Sequence, residues 1–396
     1  MKNPFSRVHI SRRLNVPTWQ KVLFKAGSIL LAFLLCGLLC MIFSEDNAFG
    51  GFFESLIYGT FASTKQFVFF LEEFALLIGL ALALLPTYKM RFWNLGADGQ
   101  ALLGGFGAAV ISRFVGPHVP GFICVILMII AAVVLGGLWS LIPAIFRAKW
   151  GTNETLFTLM LNYIAYGVVI FFIRVWDPSH GLMNGLTHGM FPLIFGQRYI
   201  INIIVVAVIF ALMFIYIKKS KHGYELSVVG ENTRTAKYIG INDKKVILRT
   251  AILSGAICGI IGLLIVGYCN SVSWNLTEGR GFTAVLIVWL GHFNFDEIGI
   301  SALLVAFLAK GSSRAQTFYN LDSSFSAVCT GLFFLTILAF EFFLNYKIIL
   351  AKDVENDVRK ESKQWLNSFH MQSDFVLYSY LVQLVKLFLK KVVTLI

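Results

Sequence analysis

Charge is scarce in this sequence. Only 14% of its 396 residues are Asp, Glu, Lys or Arg, while 57% are hydrophobic. Soluble domains carry about a quarter charged residues, and a mean hydropathy of +0.76 excludes an ordinary water-soluble globule. Strict apolar–polar alternation is missing, which argues against an outer-membrane barrel. No Gly-Lys dipeptide occurs, so there is no P-loop, and any ATP hydrolysis belongs to another chain. The seven histidines are scattered without paired metal ligands, and zinc-type cysteine spacing is absent. The six cysteines (Cys36, Cys40, Cys124, Cys258, Cys269, Cys329) lie in or beside apolar runs. They read as buried small hydrophobes, not as a disulfide framework. No aromatic–basic module for nucleic acid accompanies the net charge of +12.

What is present is a succession of apolar runs, which read as about ten membrane helices. They fall near 26–43, 67–86, 95–115, 121–146, 154–175, 199–217, 249–269, 281–294, 297–311 and 323–349. Residues 49–64, broken by glycine, suit an interfacial or re-entrant helix. The pair at 281–294 and 297–311 is short. Fourteen residues of helix cover about 21 Å, less than a hydrocarbon core of roughly 30 Å, so that pair reads as a re-entrant hairpin.

Basic residues set the orientation. The N-terminal 25 residues carry Lys2, Arg7, Arg12, Arg13, Lys21 and Lys25 and no acid. Lys89, Arg91, Arg147 and Lys149 mark further inside loops. The stretch 218–248, with Lys218, Lys219, Lys221, Arg234, Lys237, Lys244 and Lys245, is the main cytoplasmic loop. The opposite loops are poorer in Lys and Arg, which predicts cytoplasmic termini and an outward-facing segment 176–198. Beyond 351 the chain is charged. Residues 374–396 then read as an amphipathic helix with a narrow polar stripe containing Lys386 and Lys390, suited to the surface of membrane lipids, with an eleventh span as the alternative.

Two polar strings interrupt this apolar chain: Asn94-Leu95-Gly96-Ala97-Asp98-Gly99-Gln100, and the run from Asn153 and Glu154 through Asn162 and Tyr163 to Ala165. Carboxylates and amides are expensive at membrane depth and mark pathways or partner contacts. Glu72 and Glu73 call for the same explanation. Glycines such as Gly104, Gly136, Gly255, Gly259 and Gly262 read as close helix packing.

These strings, in order with Gly230–Ile241, Leu253–Gly262 and Gly279–Val285, resemble the membrane permease subunit of the simple-sugar and nucleoside ABC importers. Those importers work with basic-membrane-protein-type lipoproteins. The resemblance covers roughly residues 20–350. Asp98 stands where that family usually has Glu, Phe157 where a small polar residue is common, and Asn294-Phe295 where Asn-Pro is expected.

The resemblance implies an all-α permease domain over 26–350 that binds no cofactor itself. It implies a second homologous permease subunit, a cytoplasmic ABC ATPase and an extracytoplasmic substrate-binding lipoprotein as partners, in a bacterial inner membrane. The expected substrate path comprises Asn94, Asp98, Gln100, Glu154, Asn162, Tyr163 and Trp289. Amides and a carboxylate supply donors and acceptors for ribose hydroxyls and base edges. The bland role of Glu154 is to support a helix start capped by Asn153. Expected ATPase-coupling residues are Gly230, Glu231, Asn232, Ala236 and Gly240, with a short helix over Glu231–Tyr238 ended by Gly240. Two other classes remain on sequence grounds. An ion-coupled secondary transporter would show membrane acids in both halves, whereas here they concentrate in the first. A polytopic membrane enzyme would need convergent catalytic groups, and none stands out.

Overall fold

The computed structural model describes residues 8–12, 17–44, 49–177, 181–184, 186–189, 191–192, 194 and 199–350. The charged linker and amphipathic helix expected over 351–396 lie outside these residues, as does much of the basic N-terminus. The chain divides into two compact units, Met1–Ser28 with Ala339–Ile396, and Ile29–Leu338. In the first, strand β1 (Val8–Arg12) pairs antiparallel with strand β2 (Tyr346–Leu350). This small ladder was not foreseen in an all-α reading. It brings the stretches preceding the first helix and following the last one together.

The second unit is helical. Its order is α1 (Thr18–Phe43), α2 (Phe49–Phe61), α3 (Thr64–Lys89), α4 (Ala97–Val110), α5 (Gly121–Trp150), α6 (Glu154–Trp176), α7 (Tyr199–Lys219), α8 (Lys221–Glu231), α9 (Thr233–Tyr238), α10 (Asp243–Cys269), α11 (Arg280–Leu290), α12 (Phe295–Phe318) and α13 (Phe325–Asn345). The ends of α1 and α13 belong to the first unit. Eight of these helices are long and apolar enough to cross a membrane. The other two expected segments are α4, with 14 residues and a π-helical continuation over Ile111–Val115, and α11, with 11.

The expected short pair needs correction. Helix α11 is short, but α12 runs for 24 residues. The polar stretch Lys310–Arg314 does not end α12, because its side chains have partners. Lys310 Nζ lies 3.1 Å from Glu73 Oε2. Ser312 Oγ donates to the Leu308 carbonyl at 2.7 Å. The Arg314 guanidinium sits over the Tyr58 ring.

Helices α3 and α10 form the centre, and both are largely buried. Glycine lets α10 meet its neighbours backbone to backbone. A side chain at Gly259 would run into the Ala132 carbonyl of α5, and one at Gly262 into the Ala101 carbonyl of α4. Small residues at such crossings allow the close van der Waals approach that holds membrane helices together.

Charges inside the bundle are paired across helices. Arg280 grips Glu73 with both arms, at 2.8 and 3.0 Å. Asn202 of α7 donates to Glu72 at 3.0 Å. A planar two-armed guanidinium–carboxylate contact fixes both partners in orientation as well as position, here α11 against α3. Five of the six cysteines are buried as expected, whereas Cys269 is exposed, and all six are free thiols.

The glycine contacts carry a direct expectation. Gly262→Ala forces a methyl into the α4 backbone and should destabilise the purified protein by about 1–3 kcal/mol. Gly167→Ala, with nothing within 4 Å of the added carbon, should be neutral. Thermal unfolding in detergent checks both. Equal midpoints for the two variants would show that the α4–α10 crossing is loose.

Candidate functional site

Helix α3 ends at Lys89, and the chain turns back with Arg91 at φ 57°. It then runs without helix through Phe92–Gly96 to α4. This return segment has no ladder to satisfy its backbone, so side chains do. Asn94 Oδ1 accepts from the Gly96 N–H at 2.9 Å, an Asx turn. Its Nδ2 lies 3.3 Å from both Gln100 Oε1 and Ser254 Oγ. Gln100 Nε2 donates back to Asn94 Oδ1 at 3.1 Å. The Leu95 N–H donates to Thr158 Oγ1 at 3.0 Å. Tyr88 donates its hydroxyl to the Asn94 carbonyl at 3.0 Å.

Asn162 of α6 clamps the helix start itself. Its Nδ2 donates to the Leu95 carbonyl at 2.8 Å, and its Oδ1 accepts from the Gly99 N–H at 2.9 Å. Asp98, the second residue of α4, does the same for α11. Its Oδ1 accepts from the Gly281 N–H at 2.9 Å and its Oδ2 from the Phe282 N–H at 3.2 Å. The Thr277 side chain lies beside that carboxylate. A negative group suits a helix N-terminus through both hydrogen bonds and the dipole. The two short helices α4 and α11 therefore start inside the bundle, each capped by a side chain from another helix.

The residues expected on the substrate path separate into two sets. Asn94, Asp98, Gln100, Glu154 and Asn162 are buried, and their polar atoms engage protein partners. Glu154 Oε1 accepts from the Trp93 N–H at 3.4 Å, and its Oε2 pairs with Arg147 Nε at 3.3 Å. Glu154 thus braces the return segment, while Asn153 caps α6 through the Thr155 and Leu156 N–H groups. Tyr163 and Trp289 are exposed, at 66% and 49%. Trp289 lies 5.1 Å from the ring of Trp93. Tyr163 meets Tyr166 edge to face, and Tyr166 meets Trp274 likewise.

Residues 66–340 match the family described as branched-chain amino acid transport system / permease component. The chain belongs to that permease family. It is similar to the glucose ABC transporter permease protein TsgB13 of Haloferax volcanii, with 26% identity over 369 residues, 87% of this chain and 94% of the relative. It is also similar to the nucleoside ABC transporter permease protein NupB of Lactococcus lactis, with 28% identity over 309 residues, 74% and 84% of the two chains. The guanosine ABC transporter permease protein NupP of Bacillus subtilis shares 29% identity over 251 residues, 60% and 70%.

The permease carries a second ordered surface after α7. Helix α8 packs so closely on the end of α3 that a side chain at Gly230 would overlap the Lys89 carbonyl. Asn232 caps α9 by accepting from the Arg234 N–H at 2.9 Å, and Gly240 follows at φ 82°. The expected helix therefore exists, over Thr233–Tyr238, with Glu231 at the end of α8. Ala236 is fully buried against a cluster containing Met90, Phe92 and Leu226, so it lies beneath this module's surface. Tyr238, at 92% exposure, and Ile239 project from the tip. Burial of Glu225 disfavours its charge, but Arg249 and His222 outweigh that and hold the carboxyl below its usual range. The 3.0 Å Arg249–Glu225 bridge between α8 and α10 thus persists above the ordinary carboxylate range and weakens as pH falls through the depressed value.

Sequence reasoning missed Ser254, Thr158, Thr277 and Arg280 as parts of this arrangement. One signal was available. The tripeptide Trp93-Asn94-Leu95 recurs as Trp274-Asn275-Leu276, and each copy lies in the non-helical stretch before a short, internally capped helix.

Asp98→Asn keeps the shape but replaces one acceptor with an N–H₂ group facing a backbone N–H. Loss of a charge-assisted bond predicts a stability decrease of about 1.5–3 kcal/mol, with assembly retained and uptake impaired. Thermal unfolding and transport by the purified complex check this. A wild-type midpoint together with wild-type uptake would remove Asp98 from the mechanism.

Proposed function

We propose that this permease forms half of the translocation pore of an ATP-driven importer for nucleosides or simple sugars. The observation that carries the reading is the family match across residues 66–340, with similarity to nucleoside and glucose ABC transporter permeases over most of both chains. A second related permease subunit supplies the other half. An extracytoplasmic binding lipoprotein delivers the solute, and a cytoplasmic ATPase hydrolyses ATP. The protein sits in the inner membrane with both termini cytoplasmic. The loop charges support that orientation, as does the β1–β2 pairing, which joins the two ends on one side.

The solute passes along the aromatic surface bearing Tyr163 and Trp289, beside the buried polar group of Asn94, Asp98, Gln100, Glu154 and Asn162. In this reading the buried set shapes and stiffens the path, and the exposed rings meet the solute. Domain roles follow: a basic cytoplasmic N-terminus over 1–25, the permease domain over 26–350 with its coupling loop at 218–248, and a charged C-terminal extension over 351–396.

The ATPase docks on α8–α9. Gly230, Glu231, Asn232, Ala236 and Gly240 form and orient this module, and Tyr238 with Ile239 makes the contact. A rigid helix pair packed on the end of α3 can transmit a push that a flexible tether cannot.

Two measurements test these assignments. Proteoliposomes holding the complete importer should accumulate labelled guanosine, adenosine, ribose or glucose only with internal ATP. Accumulation driven by an ion gradient without ATP would replace the importer with a secondary transporter. Tyr238→Asp should leave the permease folded but weaken ATPase co-purification by about tenfold or more, as loss of an exposed aromatic anchor does. Unchanged co-purification and transport would move the docking surface elsewhere.

A further inference from the structure

The repeated tripeptide gives the permease two equivalent tryptophans, Trp93 and Trp274. Asn94, beside Trp93, contacts Ser254 of α10. Leu276, two residues after Trp274, packs on Gly105, which in turn faces Gly262. Ser254 and Gly262 lie about two turns apart on α10, roughly 12 Å. Between these levels sit the crossed caps of Asp98 on α11 and Asn162 on α4. One tryptophan therefore flanks the capped helix starts from each side.

Each has aromatic neighbours. Trp93 has Trp289 at 5.1 Å and Tyr88 at 5.3 Å. Trp274 has Tyr166 at 6.3 Å, which continues to Tyr163 at 6.1 Å. The contacts around Trp274 are edge to face, and Trp274 is 49% exposed, so ring surface stays open. Trp274 is not on a lipid-facing helix. It lies in the return segment pinned by the Met183–Val272 backbone pair, three residues from Thr277, whose side chain lies beside Asp98.

We propose that Trp274, with Tyr166 and Tyr163, is a stacking subsite for the planar base of a nucleoside on the outward side of the path, the counterpart of Trp93–Trp289 on the inward side. This rests on the importer reading above and narrows its substrate class to nucleosides. Flat apolar faces beside hydrogen-bonding groups suit a heterocyclic base joined to a polyhydroxyl sugar. Stacking of this kind tolerates any base, because every base presents a π-face.

The test uses the complete importer in proteoliposomes, with labelled guanosine, uridine and ribose. Trp274→Ala should lower guanosine and uridine uptake about tenfold, as loss of one base–aromatic stack does. It should leave assembly unchanged. Trp274→Phe should restore uptake to within about twofold, and Tyr163→Ala should show a smaller base-dependent loss. Wild-type uptake by Trp274→Ala overturns the subsite. So does equal failure of Trp274→Ala and Trp274→Phe with poor assembly, which marks a packing residue. If the wild-type importer takes up ribose but no nucleoside, the subsite falls and the importer reading stands. If it takes up none of the three, both fall.

Discussion

A backbone N–H that starts inside an apolar bundle must find an acceptor there. Each one left unpaired costs several kcal/mol, and neither water nor lipid tails can supply the bond. Helices α4 and α11 both start this way, and the centre of the permease follows from how they are satisfied. Asn162 reaches from α6 to the start of α4, and Asp98 reaches from α4 to the start of α11. Arg280 then ties the first residue of α11 to Glu73 of α3. The order α6, α4, α11, α3 is one chain of side-chain-to-helix contacts. No member can shift alone without stranding a buried donor or charge. Breaking such a pair on one side is far more destabilising than the pair is stabilising.

The glycines make this chain of contacts possible. For Asp98 to reach the Gly281 N–H, α4 and α11 must start almost in contact. A side-chain carbon on Gly281 would lie 2.6 Å from the Asp98 Cγ. Gly99 is equally confined, since an added carbon there would lie 2.8 Å from the Asn162 Oδ1. Polar caps and small residues are therefore one device. The polar groups supply direction, and the absent side chains supply the distance.

The helical class, the order of the membrane segments and the α9 cap were legible because they rest on local signals: runs of apolar residues, Asn232 before a short polar segment, and Gly240 after it. The importance of Asn94, Asp98 and Asn162 was legible too, since amides and a carboxylate in an apolar context demand partners. The identity of the partners was not. Asp98 and Gly281 are far apart in sequence, and nothing local to either names the other. The true length of α12 was obscured for the same reason. Lys310–Arg314 looks like a helix end until Glu73, far along the chain, supplies the counter-charge. The burial of Ala236 was not legible, because a short polar helix gives no sign of which face its neighbours cover. The repeated Trp-Asn-Leu was readable without any structure and is the signal that pairs the two return segments.

The position of α8 joins the two proposed surfaces. Gly230 sits against the Lys89 carbonyl, and Ala236 lies in one apolar cluster with Met90 and Phe92. These α3-end residues immediately precede Trp93 and Asn94, so the module rests on the start of the return segment. On the proposed docking, a force applied to Tyr238 reaches the capped break between α3 and α4 through a few packed residues, without crossing the bundle. Packed cores respond to such a force by switching between discrete arrangements more readily than by bending. The backbone of that break is held by side-chain bonds from Asn94, Thr158 and Asn162, so a push that arrives there acts on the linked caps of α4 and α11 together rather than on one helix alone.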